Sequence, residues 1–313
     1  MTAQGGDALA RADAVLRQHG KTFAWARRFL GERHAQRATE LYAFCRYLDD
    51  VADEGDDPAA AARTLQQVRR DLDRGASDDP FVSAVLAQFG ERVAGREAAK
   101  ALVDGVLRDL EEVAFDSDRE LMRYCYRVAG TVGVMMCEAL DQPDPAAAPF
   151  AIDLGIAMQL TNIARDVHED AVRGRRYVPQ SMVDGASASA LAAMDPATRA
   201  AARRARWALL ERAERYYESG RRGLAYLPLR ARFAILIAAQ NYRAIGGRVR
   251  ALGDAAEVRA FVPPLAKLWI TATALATAVL RPSFWLRPKL HDAGLHAHLD
   301  GLGGAHVEEH ALA

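Results

Sequence analysis

The stretch Gln159–Pro179, QLTNIARDVHEDAVRGRRYVP, constrains this chain more than any other. Asn162, Asp166 and Asp170 recur every four residues. On an α-helix of about 3.6 residues per turn that spacing draws them into one stripe, drifting only about 40° per step. Ile156, Leu160 and Ile163 give the same segment an apolar side, so the acids sit on a partly buried face. Glu169 lies on the flank, Gly174 ends the helix, and Arg175 and Arg176 follow at once. Buried carboxylates repel one another unless positive charge lies between them. Ion pairing with the neighbouring arginines is one solution. A divalent cation is the other, and Mg²⁺ is usually held by one or two carboxylates plus substrate phosphates. Arginines beside an acid stripe are suited to those phosphates, because their donors form a fixed fork.

An earlier segment repeats the arrangement. In Leu41–Glu54, LYAFCRYLDDVADE, Asp49 and Asp53 are four apart and Asp50 lies between them, near one helix face. Arg46 precedes Asp49 by about one turn, and Arg165 stands directly before Asp166. The chain thus predicts two helices with inward-facing acids, more than a hundred residues apart.

The rest of the sequence reads as helix throughout, with no convincing alternating strands. Helices are expected at Asp7–Gln18, Phe23–Leu30, Ala35–Glu54, Ala59–Arg74, Pro80–Phe89 and Arg96–Phe115. Asp118 is read as the N-cap of a helix over Arg119–Leu140, and Ala146–Val172 carries the second acid stripe. Val178–Pro196 reads as irregular. Thr198–Ser219 and Leu229–Leu252 follow, then Glu257–Leu280 broken at Pro263-Pro264. No Gly/Ser or Pro-rich linker divides the body, so the expected organisation is a start at 1–19, one catalytic domain at 20–282 and a Gly/His-rich tail at 283–313. Five of the eight histidines fall in that tail, and their irregular spacing reads as a mobile surface segment rather than a metal site.

Lys+Arg and Asp+Glu both total 41, so nothing in the balance points to nucleic acid. Three cysteines, an odd count with no C-x-x-C spacing, point to reduced core thiols and a cytoplasmic chain. The longest apolar run, Leu268–Leu280, has thirteen residues against the roughly 20 needed to span a bilayer. With Lys267, Arg281 and Trp285 around it, that run reads either as a core helix or as a peripheral membrane contact.

Five motifs in order resemble the squalene/phytoene synthases. They are Gly20-Lys21-Thr22-Phe23, Tyr42-Ala-Phe-Cys-Arg46-Tyr-Leu-Asp49-Asp50-Val-Ala-Asp53 and Tyr124-Cys-Tyr126-Arg-Val-Ala-Gly130-Thr-Val-Gly133. The fourth is Gln159–Asp170 with Gly174–Pro179, and the last is Asn241-Tyr242-Arg243. The resemblance implies an all-α, single-domain isoprenoid synthase fold, with helices around a central apolar cavity and the two aspartate-rich helices facing each other. It implies Mg²⁺, with Mn²⁺ as a substitute, on Asp49, Asp53, Asp166 and Asp170, with Asn162 as a neutral ligand or hydrogen-bond partner. It gives Thr22, Tyr42, Arg46, Gln159, Asn162, Arg165, Tyr177, Tyr242 and Arg259 to the prenyl diphosphate and Tyr126 to proton removal. Phe23, Phe44, Val128, Val132, Met135, Leu154 and Met158 are expected as apolar walls. Small residues such as Ala43, Ala129, Gly130, Gly133, Gly155 and Ala157 leave room for long tails or allow close helix packing.

The implied activity is phytoene synthase: head-to-head condensation of two geranylgeranyl diphosphates, through a cyclopropyl (prephytoene) diphosphate, without NADPH. A carotenoid desaturase is the implied downstream partner. The rivals are a C30 synthase using farnesyl diphosphate, to dehydrosqualene, squalene or presqualene diphosphate, and a non-catalytic assembly factor. Intact acid stripes speak for an enzyme.

Overall fold

A computed structural model describes residues 21–53, 57–90, 92–255, 257–302 and 305. The expected helix at Asp7–Gln18, the start at 1–19 and Gly20 lie outside the described residues. The regular structure among those described is helical, and the only β pairing among them is one isolated parallel bridge, Ala114 with Arg176.

Among the described residues thirteen α-helices run in order. They are α1 (Lys21–Arg27), α2 (Glu32–Asp53), α3 (Pro58–Arg74), α4 (Pro80–Phe89) and α5 (Val93–Arg108). Then come α6 (Asp118–Cys125), α7 (Thr131–Ala139), α8 (Ala148–Val172), α9 (Ala188–Ala193) and α10 (Pro196–Gly223). The last are α11 (Leu229–Leu252), α12 (Pro264–Val279) and the single turn α13 (Pro282–Trp285). Local chemistry sets the boundaries. Asp57, Asp79 and Asp195 each cap a helix that starts with proline, where the missing N–H costs nothing. Gly174, at φ +78°, follows the end of α8.

Several boundaries differ from the sequence reading. Ser117, not Asp118, caps α6, in a reciprocal capping box with Glu120. Asp118 instead pairs with Arg212 of α10. The single helix expected over Arg119–Leu140 is interrupted by a π-helical turn, Tyr126–Gly130. Inside the supposedly irregular 178–196, Ser187 caps α9. Pro264 opens α12 rather than breaking a helix that starts at Glu257.

α8 is the axis of the molecule. It packs along α10, with α7, α9 and α11 around it. Ile156, Leu160 and Ile163 are buried, each contributing roughly 1.5–3 kcal/mol over exposure. Two glycines set how closely its neighbours approach. A Cβ on Gly155 would lie 2.1 Å from the Ala129 carbonyl oxygen, and one on Gly133 would lie 2.2 Å from that of Ala151. These small residues therefore serve close helix packing rather than tail space. Phe44 and Met135, expected as cavity walls, are fully buried core, whereas Val128, Val132 and Met158 are partly buried against it. By length and composition α8 alone among the described helices could cross a bilayer, but 56% of its apolar window is buried in the fold.

The described part of the C-terminal segment, 283–302 and 305, is not the surface tail the sequence suggested. Phe284, Leu295, His296 and Leu299 are buried, and the Tyr216 hydroxyl donates to the Leu295 carbonyl at 2.7 Å. Gly294 and His296 belong to the turn Ala293–His296, whose apolar neighbours Leu295 and Leu299 reach the core.

Candidate active site

The two acid stripes face one cavity of about 250 Å³. α2 supplies Asp49, Ala52 and Asp53; α8 supplies Gln159, Asn162, Ile163, Arg165, Asp166 and Asp170. Val106 and Asp109 come from the end of α5, Tyr124 from α6, and Arg173, Arg175 and Tyr177 from the turn beyond α8. A larger cavity of about 470 Å³ between α10, α11 and α12 is lined by none of the acids of the two stripes, so the chemistry belongs to the smaller one.

Arginines neutralise some of these carboxylates. Arg165 grips Asp166 with Nε and Nη2 at 2.7 and 2.5 Å, and Arg259 approaches Asp166 at 3.4 Å and Glu169 at 3.5 Å. Arg175 reaches across to Asp53, Nη1 and Nη2 donating to one oxygen at 3.0 and 3.1 Å. Arg46 pairs with Asp50 at 2.5 Å. Asp49 and Asp170 have no ion pair among the described residues. Both are pushed up to about 7: Asp49 first by burial, which Arg46 opposes and Asp53, Asp109 and Asp50 reinforce, and Asp170 by burial and then by Asp166 and Glu169.

Sequence reading gave Asp109 no role. It lies seven residues after Leu102 and three after Val106, in register with that helix's apolar stripe, and an acid at such a position was the signal available. Its carboxylate accepts from Tyr177 at 2.9 Å and Tyr124 at 3.0 Å. Burial pushes Asp109 up to about 6 against those two hydroxyls. The rings of Tyr124 and Tyr177 stack at 4.8 Å, and Phe115 meets Tyr177 edge-on. The bridge at Ala114 holds this wall: Arg176 N donates to Val113 O at 2.7 Å and Phe115 N to Arg176 O at 3.0 Å. Arg176, read from sequence as a phosphate-side base, is buried and donates to the Val178 carbonyl. Of the two adjacent arginines, only Arg175 faces the cavity.

Tyr42, Tyr242 and Tyr126 lie outside the cavity lining, whereas Gln159 and Asn162 belong to it. Tyr42 stacks on Phe23 of α1 at 5.4 Å, beside Thr22, and burial pushes its hydroxyl up to about 12. Tyr242 is held protonated by burial and sits in the field of Arg165, Asp166 and Arg259. Tyr126 is fully buried in the main core, and burial raises its hydroxyl far above the ordinary value. Asn162 donates to Gln159 at 3.3 Å.

The donor set fits a hard divalent cation: four carboxylates and an amide, all oxygen. No three carboxylates of the stripes bring ligand oxygens within 4.8 Å of one another among the described residues, so they do not form a closed cage. That is the arrangement expected of an ion completed by waters and by phosphate oxygens. The two unpaired, charge-crowded acids, one on each helix, are the ones a cation would relieve.

The squalene/phytoene synthase family model matches residues 16–266, which takes in both acid helices and the wall between them. The chain belongs to that family. The 15-cis-phytoene synthase of Pantoea ananas is 35% identical over 248 residues, covering 75% of this chain and 80% of that enzyme. The phytoene synthase of Rhodobacter capsulatus is 36% identical over 287 residues, covering 88% and 84%. Among solved structures, a dehydrosqualene synthase superposes with a TM-score of 0.76 at 26% identity, covering 88% of this chain and 98% of that one. A squalene synthase from Alicyclobacillus acidocaldarius shares the fold, with a TM-score of 0.67 over 79% and 94% of the two chains. The expected all-α isoprenoid synthase fold is thereby established.

Proposed function

We propose that this chain is a phytoene synthase, a prenyltransferase that joins two geranylgeranyl diphosphates head to head through a cyclopropyl diphosphate, releasing diphosphate. The observation that carries this reading is the convergence of two acid helices and their arginines on one cavity, in a chain 35–36% identical to phytoene synthases over most of its length. Asp49, Asp53, Asp166 and Asp170, with Asn162, would hold Mg²⁺, or Mn²⁺ in its place. The bound ion supplies Lewis-acid neutralisation of the departing diphosphate.

The chain's own residues do the rest. Arg165, Arg175, Arg46 and Arg259 already lie against carboxylates, so an arriving diphosphate exchanges one set of acceptors for another. Gln159 and Thr22 complete the polar contacts to the diphosphate. Tyr177, fixed by Asp109, and Tyr42 and Tyr242, all protonated, donate hydrogen bonds and shield the site from water. Tyr126 is too basic as a phenolate to form unaided, so it moves a proton only together with the leaving diphosphate. The final cation loses a proton rather than gaining a hydride, so NADPH is not required. The catalytic unit is 20–282, and the product passes to a carotenoid desaturase.

That product is a long hydrocarbon, which leaves most readily into lipid. Leu265, Leu268, Trp269, Leu280, Trp285 and Leu286 are exposed on and beside α12. They form the peripheral membrane contact of an otherwise cytoplasmic enzyme. Liposome flotation of wild type against Trp269→Glu should show the variant left in the lower layers; equal recovery there would remove the membrane from the reading.

The deciding experiment is incubation of purified protein with Mg²⁺ and either C20 or C15 diphosphate, with products resolved by mass. The C20 substrate should give a C40 hydrocarbon with triene absorption, unchanged by NADPH and abolished by EDTA. Turnover of C15 alone would move the assignment to a C30 synthase. That second reading is favoured by the 98% coverage of a dehydrosqualene synthase structure.

A further inference from the structure

The other end of α8 carries a second cluster that the proposed condensation does not use. Asp153 lies thirteen residues before Asp166, about 20 Å away along the helix axis at 1.5 Å per residue. Its side chain is fully buried. The Nε2 of His291 lies 2.7 Å from one carboxylate oxygen, and the Nε2 of His296 lies 2.9 Å from the other. One ligand atom from each of the three falls within 4.8 Å of the other two, and they are the only such group of His, Cys, Asp and Glu among the described residues. Ser219 of α10 donates to Asp153 from a third direction at 2.5 Å.

The surroundings hold the two imidazoles in place. Asp292 accepts from the Gly294 N–H and closes the turn Ala293–His296, which brings His296 back toward His291. The two rings sit 4.6 Å apart, and Phe150 meets His291 edge-on at 5.1 Å. His296 is buried and His291 nearly so. Both nitrogens aim at one carboxylate, from a segment whose Leu286 and Leu290 are exposed and whose Leu295 and Leu299 are buried.

We propose that Asp153, His291 and His296 form a structural Zn²⁺ site that clips the C-terminal segment onto α8. Two imidazole nitrogens and one carboxylate are a zinc donor set, whereas Mg²⁺ takes oxygen donors. Water, or the Ser219 hydroxyl, fills the fourth position. Bound there, the ion replaces two hydrogen bonds with three ligand bonds and joins α8 to the segment after α13. The site is chemically distinct from the aspartate cavity and independent of the condensation.

The test uses the full chain without an added histidine tag, grown with Zn²⁺ and freed of loosely held metal by gel filtration. Elemental analysis should find zinc equimolar with protein, falling to background in His291→Asn and His296→Asn. Co²⁺ exchanged into the protein should give the intense visible bands of a four-coordinate centre. Those bands should persist in Asp170→Asn and vanish in either histidine variant. Circular dichroism shows whether each variant keeps its helix content. The wild-type zinc content and Co²⁺ spectrum stand even if a variant does not fold. Wild-type protein without zinc and without the Co²⁺ bands would overturn the proposal, leaving a hydrogen-bonded clasp. Zinc retained by both histidine variants would overturn it equally.

Discussion

α2 and α8 present carboxylates one turn apart to the same cavity, yet they are held there by different means. α8 is wedged in the core, with backbone contact at Gly133 and Gly155 and the Arg206 Nε donating to its Ala164 carbonyl at 3.0 Å. α2 buries one face, but the start of the helix is tied by surface charge. Arg33, His34 and Arg37 converge there on Asp141, just beyond α7. On each helix one carboxylate is gripped by arginine and one is left crowded: Asp53 and Asp49 on α2, Asp166 and Asp170 on α8. The guanidinium on Asp53 is that of Arg175, from the turn ending α8. α2 is thus tethered to α8 through the site itself. Side-chain symmetry at the cavity does not require symmetry in how the scaffold supports it.

The largest expected effect comes from removing either half. Asp49→Asn and Asp166→Asn should each lower turnover of the C20 diphosphate at least about a hundredfold, in the range seen when one group stabilising developing charge is lost. Circular dichroism should stay near wild type. Thermal melts then separate gripped from crowded acids. Asp49→Asn and Asp170→Asn relieve buried like charge and should hold or raise Tm, whereas Asp166→Asn strips Arg165 of its partner and should lower it. A common fall in Tm for all three would erase the distinction.

Packing comes next. Gly155→Ala should cost about 1–3 kcal/mol or more, because the new methyl meets backbone that cannot rotate away. Gly247→Ala, on α11 with open space around it, should be neutral or slightly stabilising in the same denaturant titration. Equal midpoints for the two would mean that α8 is not wedged as described.

Arg175→Gln cuts the tether between the two halves. A charge-assisted hydrogen bond is worth about 1.5 kcal/mol at the low end of its range, which suits this part-exposed pair, so kcat/KM should fall about tenfold, less than for the aspartates. An unchanged kcat/KM would show that α2 positions itself without α8.

The smallest effect is at the surface anchor of α2. Burial alone would raise the Asp141 carboxyl, but Arg37, His34 and Arg33 outweigh it and hold it below the ordinary carboxylate value. A carboxyl lowered on folding stabilises above its unfolded pKa of about 3.9, and that contribution disappears as pH falls through the lower folded value. Asp141→Asn should therefore lower stability slightly at pH 7, by less than about 1 kcal/mol for this part-exposed cluster. The gap to wild type should close below about pH 4. A gap that persisted into acid would assign the effect to packing.

Much of this was legible in the residues. Four-residue spacing of acids within apolar helix patterns identified both stripes, because helix geometry is local and its period is written in the sequence. Family resemblance carried the fold and the activity. Sequence could not show which arginine faces in, since Arg175 and Arg176 are adjacent and only the bridge to Ala114 turns one outward from the core and the other inward. Nor could it assign the glycines near the acid helices, because the carbonyls that would strike their added methyls belong to other helices. Asp109 and the Asp153–histidine cluster required the fold for the same reason. Their partners lie 15 to 143 residues away in the chain. Periodicity reports which face a residue shares; only tertiary packing decides what that face meets.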